Sequence, residues 1–220
     1  MKEYELIAER NQQRAREILK ELGLTEYFEK HGCKVNLIGS LAMGLLVKHR
    51  DIDLHIYSSE LTEEKSFAIF AGLAKNPKIK EIKCINGLFT DEHCLAWHLT
   101  YQDADGQLWQ IDIIHIESGT TYDGFFEKMA HRISEVLTDD QRETIIRLKF
   151  ETLDGELIHG VEYYQAVIEA GVTELSELRE WVKNNRKPDG SYWMPEQLLT
   201  PASKTLSASD STRSCETLEN

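Results

Sequence analysis

Apolar side chains recur at three- and four-residue steps from Tyr4 through Ile7, Ala8, Ala15, Ile18 and Leu19 to Leu22. That is the period of a helix with one inward face. It predicts a helix over 3–22, stopped by Gly23. Thr25 predicts the cap of a short second helix to His31, with Gly32 at its end. The period then drops to two. Residues 34–38 read as a first strand, Gly39-Ser40 as a turn opening a short helix, and 51–57 as a second strand in which Ile52, Leu54 and Ile56 alternate with polar neighbours. Thr62 starts a further helix with Phe67, Phe70, Leu73 and Ala74 as its apolar stripe, ended by Asn76-Pro77. Residues 79–85 alternate weakly and read as an edge strand. Residues 94–101 and 108–116 form a hairpin around Asp103-Ala104-Asp105-Gly106.

Beyond Gly119 the helical period returns. Residues 122–137 predict one helix. Thr138-x-x-Gln141 is a capping box for another, to about Leu153. Residues 157–170 form a third, ended by Gly171, and Thr173 opens a fourth with Leu175, Leu178, Trp181 and Val182 inward. Residues 186–190 read as a turn. Beyond Thr200, Ser and Thr dominate with almost no bulky apolar residue, the composition of a disordered tail. The expected class is α+β: a mixed-sheet core over 1–118, a helical bundle over 119–200, and a disordered tail over 201–220.

Candidate chemistry sits at the break between the first two strands. Asp51 and Asp53 are two apart, so on a strand both carboxylates share one face. Two like charges side by side raise each other's pKa unless a cation lies between them. Hard divalent ions take oxygen ligands, commonly one or two carboxylates plus substrate phosphates. Gly39-Ser40 offers free backbone N–H groups and a hydroxyl, a setting for an anion. Asp112 lies within Ile111-Asp112-Ile113-Ile114, where a lone carboxylate is costly unless paired. His115 falls on the opposite face and reads as structural. His93, Cys94 and His98 do not converge as a metal cage on a strand.

Gly39-Ser40, Ala42 and Gly44, followed by Asp51-Ile52-Asp53 and a third Asp on a later strand, resemble the signature of the DNA-polymerase-beta-type nucleotidyltransferase superfamily. In style the pattern is most similar to the small-molecule members that adenylylate aminoglycosides or lincosamides. It departs at Met43, where many members carry Arg, and at Arg50, where many carry Ser. The resemblance implies that Asp51, Asp53 and Asp112 hold two Mg2+ ions and do the catalysis, with Asp112 also taking the acceptor's proton. It implies that Gly39 and Ser40 hold the β- and γ-phosphates of an NTP, expected to be ATP. Lys48, His49 and Arg50 could balance phosphate charge, although a solvated loop is the plainer reading. Related enzymes use a base from the helical half for the same purpose, for which Arg147 and Lys149 are candidates. Tyr163, Tyr164 and Glu162 could line the acceptor or base pocket, although an aromatic pair at helical spacing reads first as core.

The expected reaction is transfer of a nucleoside monophosphate, AMP above all, to a hydroxyl of a small molecule, with release of pyrophosphate. Two alternatives stand beside it: a non-catalytic nucleotide-binding protein on the same fold, and a toxin-type enzyme acting on protein or tRNA. Composition adjusts these expectations. The net charge is −13 over 220 residues, and the acid excess is greater after residue 116. A polyanion would be repelled, so nucleic acid is expected to be an unlikely partner. No apolar run of about 18 residues predicts a membrane span, and the charged first residues lack a signal core. Four scattered cysteines suggest reduced thiols and a cytoplasmic location.

Overall fold

The computed structural model describes residues 2–187 and 193–196. The turn expected at 186–190 falls partly, and the tail expected at 201–220 wholly, outside the described residues. The element order is α1 (Glu3–Leu22), α2 (Leu24–Lys30), β1 (Lys34–Ile38), α3 (Gly39–Ala42), β2 (Asp51–Ser58), α4 (Glu63–Leu73), β3 (Ile79–Gly87), β4 (Cys94–Gln102), β5 (Leu108–Glu117), α5 (Phe125–Val136), α6 (Asp139–Glu151), α7 (Gly160–Ala170) and α8 (Leu175–Asn185). It is an α+β architecture with one mixed five-stranded sheet in the order β1-β2-β5-β4-β3. Only β2 and β5 are parallel, so the strand carrying Asp51 and Asp53 lies directly beside the strand carrying Asp112.

Local signals explain most boundaries. Gly23 ends α1 in the left-handed conformation, its N–H bonded back to Leu19 and Lys20. The same glycine also starts α2, so the expected cap at Thr25 is not used: the cap falls two residues earlier, at Gly23, and the helix begins at Leu24. Thr138 and Gln141 form the reciprocal cap of α6. Gly171 ends α7 at φ +66°. The weakly alternating β3 is an edge strand paired only with β4.

The sheet separates two environments. On one face Ile52, Leu54, Ile56, Trp97, Leu99, Ile111 and Ile113 pack with Ala15, Ile18, Phe28, Ile69 and Phe70 from α1, α2 and α4. Phe70 stacks on Trp97 with centroids 4.1 Å apart. A second apolar cluster joins α5–α8 around Ile133, Ile145, Leu148, Val167 and Leu178, and it takes in Met43 and Leu45 from the segment before β2. That segment is therefore gripped by the helical half. Among the described residues no helix is long and apolar enough to cross a membrane.

Candidate active site

β1 ends at Ile38, which is registered with Asp53 on β2. The chain then turns sharply at Gly39, whose φ is +67°. A Cβ at Gly39 would stand 2.0 Å from Asp53 Oδ2 and 2.8 Å from Asp53 Cβ. Glycine is required here twice over, once for the left-handed backbone and once because the Asp53 side chain lies across that position. Ser40 follows in the single turn of α3. It is buried, and its hydroxyl has no hydrogen-bond partner among the described residues.

The segment from Met43 to Val47 is a packed strut, with His49 and Arg50 exposed beyond it. Each of its five carbonyls is claimed by a side chain from α1 or α6, as buried carbonyls must be. Asn11 Nδ2 donates to Val47 O at 2.7 Å. Gln12 Nε2 donates to Gly44 O and Leu46 O at 3.1 and 3.0 Å. Lys149 Nζ donates to Leu45 O at 2.9 Å, and Arg142 donates to Met43 O. The strut sets where β2 begins, and so where Asp51 stands.

Asp53 and Asp112 are direct register partners across the parallel β2/β5 pair, and Asp51 is partnered with Gln110. All three acids therefore occupy one face, opposite the sealed core. Asp51 Oδ1 is buried without a hydrogen-bond partner among the described residues. Burial, and then the charges of Asp51 and Asp112, push the Asp53 carboxyl up to about 7, with Lys149 opposing. Lys149 is itself buried. Loss of water pulls its ammonium down from the ordinary value, while Asp51 and Asp53 pull it back. Its Nζ sits 5.7 Å from the Tyr164 ring centre. Burial holds the Tyr164 phenol above its usual value, reinforced by Asp53 and Asp51. This is a surplus of negative charge with one buried cation beside it, a setting that favours a further cation.

Asp112 is engaged differently. Its Oδ1 lies 2.6 Å from His98 Nδ1, and Gln110 Nε2 donates to both of its oxygens at 3.0 and 3.1 Å. With Asp112 so held, no three His, Cys, Asp or Glu side chains among the described residues converge closely enough to grip an ion as they stand.

The basic candidates separate. Lys149 reaches the acids. Lys48 turns to Thr152 O and to Asp154, 2.9 Å away. Arg50 is exposed, and its carbonyl accepts from Gln110 N at 2.7 Å. Lys48 and Arg50 both line a cavity that also includes Gln110. Arg147 braces the α7–α8 connection through Thr173 O and pairs with Glu151. Tyr163 bonds Thr152, and Glu162 pairs with Arg186, so both are structural. Sequence reading set His98 aside as a metal ligand and gave Gln110 no role, although β4–β5 hairpin register sets His98 opposite Asp112. It also left Tyr164 as core, and nothing local distinguishes that residue from Tyr163.

No family model and no curated protein sequence matches the chain. Solved structures do match. A structure described as the RNA terminal uridylyl transferase Cid1 is 15% identical with a TM-score of 0.53, over 74% of this chain and 50% of that one. A cytoplasmic RNA terminal U-transferase is 16% identical at 0.50, over 74% and 50%. A Cid1 poly(U) polymerase structure is 16% identical at 0.51, over 74% and 51%. The chain has the fold of these neighbours. It spans about half their length. The similarity carries no sign of the small-molecule subtype.

One expectation is overturned. Nucleic acid was set aside as an unlikely partner on net charge, yet these neighbours are named for RNA. Net charge sums every face of the molecule, whereas exposed charges are screened beyond about 10 Å. Lys48, His49 and Arg50 line the cavity beside Gln110 despite the acidic total.

Proposed function

We propose that the chain is a divalent-metal-dependent nucleotidyltransferase that moves a nucleoside monophosphate from an NTP to a hydroxyl and releases pyrophosphate. The observation that carries this reading is the row of three carboxylates on one sheet face, with Gly39 wedged beneath Asp53. The shared fold supports it.

The donors fit a hard cation. They are oxygens, one of them is orphaned in Asp51, and Asp53 is held near neutrality for want of positive charge. Asp51, Asp53 and Asp112 would hold two Mg2+ ions. When bound, these supply neutralisation of phosphate charge and a lower pKa for the acceptor hydroxyl. The chain's own groups do the rest. Backbone N–H groups and the unpaired hydroxyl at Gly39-Ser40 bind the β- and γ-phosphates. Lys149, fixed by the Leu45 carbonyl, holds positive charge beside Asp51 and Asp53. His98 and Gln110 orient Asp112, which accepts the hydroxyl proton. The acceptor oxygen forms a bond to the α-phosphorus, the bond to the β-phosphate bridge breaks, and pyrophosphate carries off the electron pair.

ATP is the donor we favour. The acceptor is a hydroxyl of either a small molecule, as the motif's style suggests, or an RNA 3′ end, as the neighbours' names suggest. The test is pyrophosphate release with Mg2+ and each of the four NTPs, against a short single-stranded RNA and a panel of neutral alcohols. Release that needs an acceptor and vanishes in Asp53→Asn supports the proposal. Undiminished release by folded Asp53→Asn removes it.

A further inference from the structure

The face that carries the acids does not end with them. His55 lies two residues beyond Asp53 on β2, and Ile114 two beyond Asp112 on β5, and these two are also register partners. Together with Ile38, Ala96, Tyr122 and Phe126 they wall a cavity of about 210 Å³. Two residues along a strand span about 7 Å, so a short substituent on a molecule seated there reaches Asp53 and Asp112.

We propose that this cavity is a subsite for the acceptor, taking the uncharged ring that bears or adjoins the reacting hydroxyl. The inference rests on the transfer reading above and adds the acceptor's chemistry to it. Three observations carry it. Among the described residues the lining is apolar apart from His55, the Tyr122 phenol and an exposed Glu92, and none of them is Lys or Arg, which disfavours a phosphate as occupant. Its walls present flat rings. Tyr122 and Phe126 have centroids 6.1 Å apart at 30°, and His55 meets Phe126 edge-on at 5.1 Å. Such surfaces favour stacking with another ring. Finally, the volume falls below the roughly 300–1,000 Å³ of a pocket for a whole ligand. The cavity therefore admits one ring system while the rest of the molecule stays outside.

Lys48 and Arg50 line a separate cavity beside Gln110, the partner of Asp51, at the opposite end of the acid row. A ring of this kind could belong to a free aromatic alcohol or to the terminal base of a single-stranded RNA.

Saturation-transfer NMR on the full chain tests the subsite, with benzyl alcohol as the probe and glycerol as the open-chain control. Benzyl alcohol should give transfer and glycerol none. Ala96→Leu, which fills the cavity, should weaken benzyl alcohol binding at least tenfold. Phe126→Ala, which removes one wall, should weaken it severalfold and serves if Ala96→Leu does not fold. Competition by a short oligo(A) RNA assigns the ring to a nucleobase, and its failure to compete assigns it to a free alcohol. Equal benzyl alcohol signals in wild type and the folded variants overturn the proposal, as does no signal in wild type. Calorimetry with Mg–ATP is read separately. Absence of nucleotide binding sinks the transfer reading, whereas absent ring binding with Mg–ATP binding intact sinks the subsite alone.

Discussion

β2 and β5 present two faces built from alternate residues of the same strands, and the faces obey opposite rules. On the sealed face, each polar group that enters is answered. His115 has Ser66 Oγ 3.0 Å from Nδ1 and Ser58 Oγ 2.9 Å from Nε2, and Trp97 donates to the same Ser66. On the other face Asp51 Oδ1, and beside it Ser40 Oγ of α3, are buried with no hydrogen-bond partner among the described residues. Buried polar groups are normally satisfied, and the exceptions call for an explanation. A one-residue step along a strand thus separates a face whose polar groups are paired from one where buried oxygens are left unpaired among the described residues.

The sharpest break of this comparison is Asp53→Asn. It should lower nucleotidyl transfer by about a thousandfold or more, on the scale of losing a group that acts in the transition state. The same change should make the ligand-free protein more stable at pH 8. The folded protein holds a proton on Asp53 up to about pH 7, whereas an unfolded Asp releases it near 3.8. Stability from this group is therefore present at low pH and falls as pH rises from about 4 through 7. Removing the charge should restore on the order of a few kcal/mol at pH 8 and little at pH 4. Thermal melts across pH, without divalent metal, read this directly.

Ile111→Ala on the sealed face should do the reverse. It should cost about 2–5 kcal/mol of stability, as large-to-small changes in a packed core do. Turnover per folded molecule should stay within about twofold; urea unfolding and active-site titration separate the two quantities. Gly39→Ala links the faces, because the added methyl must displace Asp53. It should cost about 1–3 kcal/mol through strained backbone and also most of the activity.

The smallest expected effect belongs to His115. Burial pulls its imidazole down to about 4, so its contribution is present above pH 6.5 and lost as pH falls through 4. Between pH 7 and pH 5 that is about 2 kcal/mol. Its NMR titration should show the neutral ring persisting at pH 5. Burial also pulls His55, on the open face, down to about 4. Filling the cavity it lines should move the His55 resonances and leave those of His115 in place.

Much of the sheet was legible because its signals are local. That Asp51 and Asp53 share a face follows from a period of two, and α6 from Thr138 and Gln141, whereas Asp112 and Gly39 were joined to them only by the resemblance. Lys149 was legible only through the resemblance, since its partner is Leu45, 104 residues away. Asn11 and Gln12 were invisible for the same reason: they sit on α1, and their carbonyl partners lie more than 30 residues on. Tyr164 could not be told from Tyr163 because both fit the buried stripe of α7. The partner class was misjudged because composition records how much charge the chain carries and not where that charge stands.

The central claim is that the three carboxylates form one cation-binding centre for a nucleotide. Mn2+ binding followed by electron paramagnetic resonance, with a non-hydrolysable ATP analogue present, tests it most directly. The account predicts two Mn2+ ions per wild-type chain and loss of that binding in Asp53→Asn. Equal Mn2+ binding by the two folded proteins would contradict it.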